Sequence, residues 1–81
     1  MNNALENAIQ ATQVELDQLK IKIFNLRYQI KERRFLVQSN LMYYLTKSQY
    51  DYMNWYCEVL ERRLKIMQDQ MKKEQQMLIP S

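Results

Sequence analysis

The chain contains no glycine and no histidine, and only one cysteine and one proline. Each scarcity removes a class of fold or chemistry. Tight strand hairpins and phosphate-cradling loops rely on glycine at positive φ. Its absence argues against β folds, P-loops and dinucleotide-binding turns. With Cys57 as the sole thiol and no imidazole, a protein-built zinc site lacks ligands, and no intrachain disulfide can form. A catalytic constellation fails for similar reasons: there is no histidine base, no glycine elbow for a nucleophile and no acid pair in a pocket-forming fold. The expectation is a non-enzymatic chain with no cofactor and no metal, in which Cys57 serves as a small buried hydrophobe.

Long apolar runs are also missing. The longest, Leu41–Leu45 and Phe35–Val37, fall far short of the roughly 20 residues of a membrane span. The opening residues lack both the basic start and the apolar core of a signal peptide. These features point away from the membrane and toward the cytoplasm, or the interior of a virion or large assembly. A lone free cysteine fits a reducing compartment.

What is present is helix-forming and periodic. Gln, Leu, Lys, Glu, Met and Ile dominate the 81 residues, and most of them favour helix. Ile9, Leu16, Ile23, Ile30 and Val37 recur every seven residues and take the a positions of a heptad; Leu5, Thr12, Leu19, Leu26 and Arg33 take d. Only Thr12 and Arg33 interrupt this apolar seam, and a run of that length is a coiled-coil signal. Asn3 followed by Glu6 resembles a capping box, so the first helix is expected over about 4–38.

A second frame follows. Tyr50, Cys57, Leu64, Met71 and Leu78 take a, and Met53, Leu60, Met67 and Glu74 take d. Extending the first frame would place Asp51 and Glu58 in the core, so the two frames do not join. Ser39-Asn40 is a stop signal and Thr46 and Ser48 are candidate N-caps. The expected division is a turn at about 39–47, a second helix at about 48–78 ended by Pro80, and a tail at 79–81.

Two helices of similar length joined by a short connection fold back antiparallel. The expected fold is therefore an all-α, two-helix antiparallel coiled-coil hairpin that assembles into a four-helix bundle or larger helical oligomer. Its seam would be Ile9, Leu16, Leu19, Ile23, Leu26, Ile30, Met53, Cys57, Leu60, Leu64, Met67 and Met71. Two registers satisfy the pattern. The preferred one sets Leu26 against Cys57, Ile23 against Leu60, Leu19 against Leu64 and Leu16 against Met67, turning near Leu41. The other sets Ile30 against Leu60 and Leu26 against Leu64, turning near Leu45, and buries Arg33. Either rod would be roughly 50 Å long at about 1.5 Å per residue.

Apolar residues also fall outside the seam. Val14, Ile21, Tyr28 and Phe35 take the f position of the first helix, with Phe24 nearby; Leu45, Tyr52, Val59 and Ile66 take c of the second, flanked by Trp55 and Tyr56. A helix with two apolar faces needs two neighbours. The expected protein interface is thus Val14, Ile21, Phe24, Tyr28, Phe35, Tyr52, Trp55, Tyr56, Val59 and Ile66. Aromatic residues cluster at the turn end with Arg27, Arg33 and Arg34, and Trp, Tyr and Arg are the residues most enriched in interface hot spots. Met67, Met71 and Met77 toward the other end combine seam packing with adaptable contact.

The net charge is +3 and the pI about 9.1, but the charge is uneven. Residues 1–19 carry Glu6, Glu15 and Asp17 with no base, whereas residues 20–47 carry seven bases against Glu32 alone. An acidic start beside a basic middle suits self-association or an acidic partner surface. Glu32 interrupts Lys31-Glu-Arg-Arg34 and Glu61 opens Glu61-Arg-Arg-Leu-Lys65, which argues against nucleic acid; intrahelical pairing of Glu58 with Arg62 and of Glu61 with Lys65 is a simpler use of those bases. The overall shape is similar to small helical-hairpin chaperones and adaptors, including those of secretion and phage assembly. That likeness is one of architecture alone; the expectation of a protein-binding module, either a homo-oligomer or the companion of a larger protein, rests on the spare apolar stripes. A structural subunit of a particle or large complex and a small nucleic-acid-binding regulator are the alternatives.

Overall fold

A computed structural model describes residues 3–32 and 40–78. They form two helices, α1 (Asn3–Glu32) and α2 (Asn40–Leu78), packed along one another, with no strand among the described residues. The molecule is a rod of 65 × 16 × 15 Å. Glu6 in the first turn of α1 and Lys31 in its last both oppose the local end of the helix dipole.

The a and d positions meet as the heptads require. Leu16, Leu19, Leu60 and Leu64 are buried, and Ile9, Ile23, Met53, Cys57 and Met67 pack against them half-buried. Ile30, Leu26 and Met71, which complete the expected seam, are also half-buried. Leu60 is the centre of this core, at 0 % exposure. The helices run antiparallel: Glu6, Ile9 and Gln10 share a depression with Met71, while Lys22, Leu26 and Gln29 share one with Gln49 and Met53.

Two differences from the sequence expectation concern α2. Residues 40–47, expected as a turn, are helical. No glycine or proline stops the helix there, Leu41, Met42 and Leu45 favour it, and Thr46 spends its hydroxyl inside it, donating to the Met42 carbonyl at 2.7 Å. Thr46 and Ser48 therefore lie within α2 and cap nothing, and neither Leu41 nor Leu45 is at a turn.

The register shifts for the same reason. Buried Thr12, Leu16 and Leu19 face buried Leu60 and Leu64, which sets Leu16 level with Leu60, Thr12 with Leu64 and Ile23 with Met53. Buried Thr46 comes level with Ile30. This is one heptad from the preferred expectation, so Leu26–Cys57, Ile23–Leu60, Leu19–Leu64 and Leu16–Met67 are not the layers. Arg33, Arg34, Phe35, Val37, Ser39 and Pro80, all used in the sequence argument, lie outside the described residues.

Candidate protein-interaction surfaces

The flanks of the seam carry its polar links. Tyr56, at g of α2, donates its hydroxyl to Oε1 of Glu15, at g of α1. Lys20 at e of α1 lies 3.8 Å from Oε1 of Glu61 at e of α2. Like-lettered flanks meet only when two coiled-coil helices run in opposite directions, so these links fix the orientation independently of the core. The carboxylate of Glu15 beside Tyr56 favours the protonated phenol and raises its pKa above 10.0. Partial burial raises the Cys57 thiol above 9.0, helped by its hydrogen bond to Oε1 of Glu61 at 3.5 Å. That thiol is held protonated and away from the nucleophilic form.

Elsewhere the polar contacts are local. Arg62 donates to Glu58 at 3.0 Å, the expected pair four residues apart, and Gln13 donates to Asp17 at 3.0 Å. Glu61, expected beside Lys65, reaches across the seam instead.

Away from the seam the surface is unusually apolar. On the back of α1, Val14, Ile21, Phe24 and Tyr28 are all more than half exposed. On α2, Tyr52 is 73 % and Trp55 65 % exposed, with Leu45 and Ile66 also more than half in water. Val59 is half-buried, and Tyr56 is 37 % exposed, its hydroxyl turned to Glu15. Phe35 lies outside the described residues. The structure adds Leu41, Met42 and Tyr44 as exposed apolar side chains. Their place on a helix face follows from residues 40–47 being helical. An open depression of about 560 Å³ runs along α2, lined by Leu45, Ser48, Gln49, Tyr52, Met53, Trp55 and Tyr56.

The two apolar surfaces do not share a side of the rod. In heptad terms the α1 stripe lies at f, opposite the seam, while the α2 stripe lies at c, beside the g flank that carries Tyr56. A hairpin of this shape can cover neither stripe with its own atoms. Among the described residues no group of His, Cys, Asp and Glu could hold a metal ion, and no helix is long and apolar enough to cross a membrane.

Fold and surfaces together define a two-helix coiled-coil hairpin with apolar stripes on two further faces. Residues 6–66 match the model of the Sequestin family, a span reaching from the first turns of α1 through most of α2. The chain belongs to that family. No curated protein and no solved structure matches it.

Proposed function

We propose that the protein is a non-enzymatic protein-interaction module, an assembly factor, chaperone or adaptor, that works inside the cytoplasm, a virion or a large assembly as part of a larger helical bundle. One observation carries this reading: among the described residues twelve large hydrophobic side chains are exposed, against four hydrophobics buried in the core. Exposed apolar surface on that scale favours association. A chain of this size with so small a core generally needs a partner to be secure.

The back of α1 is the surface proposed for a different protein. Val14, Ile21 and Tyr28 are spaced one heptad apart on its f face, which is how an amphipathic helix presents anchors to a groove or another helix. The basic residues Arg27 and Lys31 near Tyr28 favour an acidic surface on that partner. The test is affinity capture of the tagged chain beside its Ile21→Ser/Tyr28→Ser form, with proteins identified by mass spectrometry. Both positions are exposed, so the variant keeps its helical circular dichroism. It is expected to lose the specific partner; recovery of the same partner at the same yield overturns the reading.

A further inference from the structure

The exposed face of α2 is a second coiled-coil seam. Leu41, Leu45, Ser48, Tyr52, Trp55 and Val59 follow one another at alternating intervals of four and three residues. This is the same spacing that builds the a/d seam against α1, but it falls on the c and f positions, on the far side of α2. Leu41, Leu45, Tyr52 and Trp55 are each more than half exposed. We infer that this seam is covered by a second copy of the same chain, α2 against α2, antiparallel about a two-fold axis near Tyr50. The inference rests on the proposal that the protein works by helix pairing, and it names the partner for one of the two stripes.

Side-chain size selects that occupant. With antiparallel copies centred there, Ser48 faces Tyr52 of the partner, Leu45 faces Trp55 and Leu41 faces Val59, so each bulky ring meets a smaller side chain. Parallel copies would stack Trp55 on Trp55 and leave Ser48 opposite Ser48, alternating overpacked layers with voids. The open depression beside Ser48 and Tyr52 is then where the partner's Tyr52 ring seats, once in each direction.

The flanks of the seam select the same pairing. The hairpin's own like-to-like links, Glu15 with Tyr56 and Lys20 with Glu61, show which flanking residues meet across an antiparallel seam. Applied to the new seam, the same rule brings the exposed Tyr44 hydroxyl to the Asp51 carboxylate of the other copy, and Gln49 to Tyr56, with no like charges facing. Sliding the pairing one heptad further along α2 would put Asp51 against Asp51, which like-charge repulsion disfavours. The area also suffices. The exposed side chains of both copies would bury roughly 1,200 Å², at the lower edge of what a specific interface needs. An isologous contact of this kind closes on itself as a dimer.

Sedimentation of the full chain tests the mass, and cysteine pairing tests the geometry. The chain is expected at twice its 10.0 kDa mass. Trp55→Glu should weaken the dimer by at least ~30-fold, the scale for losing an aromatic hot spot, with helical dichroism retained. Tyr28→Glu, on the other helix, should leave the dimer intact. In a Cys57→Ser background, Ser48→Cys chains mixed with Tyr52→Cys chains should form a disulfide heterodimer faster than Ile66→Cys mixed with Tyr52→Cys. A Trp55→Glu protein that stays dimeric, or equal cross-linking of the two mixtures, overturns the inference. A wild-type chain of single-chain mass at every concentration also overturns it. That result leaves the α1 surface standing or falling on its own capture experiment.

Discussion

The middle of the hairpin and the start of α2 use the same residue types to opposite effect. Around Leu60 the leucines of both helices interlock, and Leu16, Leu19 and Leu64 are buried with it. Around Tyr44 and Tyr52 equally apolar side chains stand in water. Composition does not separate these regions; the number of helical neighbours does. Two helices can bury one stripe each, so whatever apolar surface exceeds one stripe stays in water within the hairpin. On the function proposed above, that surplus is what another chain covers.

The largest effect that would sharpen this contrast comes from Leu60→Ala. Removing a fully buried leucine costs about 2–5 kcal/mol, enough to unfold most of a domain with so small a core. Ile66→Ala, at an exposed position only six residues on, should change stability by no more than about 0.5 kcal/mol. Urea titrations of the two variants at low protein concentration compare them directly, and equal midpoints would erase the distinction between core and stripe. A smaller effect, of opposite sign, is expected from Thr12→Leu. Thr12 is 6 % exposed at a d position of the seam, and replacing its hydroxyl with hydrocarbon should add about 1 kcal/mol. A thermal midpoint that falls instead would mean the site cannot accept the larger side chain.

The smallest effect is alkaline. The folded Tyr56 hydroxyl ionises above its ordinary 10.0 because of its bond to Glu15. The stabilisation from that link is therefore complete below pH 10 and disappears as the pH rises through the elevated value, where the phenolate and the carboxylate repel. Absorbance titration of Glu15→Gln should show Tyr56 ionising nearer its ordinary value, with Tyr56→Phe identifying the transition that belongs to this residue. An unchanged curve would break the link between the flanks.

The seam was legible in the sequence because burial repeats with the heptad. The positions from Ile9 to Ile30 and from Met53 to Met71 assigned to it are all buried or half-buried. Register was not legible, because a heptad pattern looks the same after a shift of seven. Only the extra constraint that α2 is helical from Asn40 moves Leu16 from Met67 to Leu60. The misleading cues were Thr46 and Ser48: a hydroxyl that caps a helix can equally bond the carbonyl four residues back, as Thr46 does. The g-to-g bond of Tyr56 could have been found by lettering the flanks as well as the core. The exposed stripes were legible as periodicity, but the continuity of the α2 stripe through Leu41 and Leu45 became visible only with the helix in place.

The exposure of Leu41, Tyr44 and Leu45 bears on folding order. These three side chains are each more than half in water, and short helical stretches with little tertiary packing are marginal in water. Amide protons there should exchange through local opening, long before those around Leu60, which wait for the whole rod to come apart. A companion helix laid on that stretch would merge the two into one cooperative unit. Association would then register as slowed exchange at the start of α2, even if no backbone atom changed place.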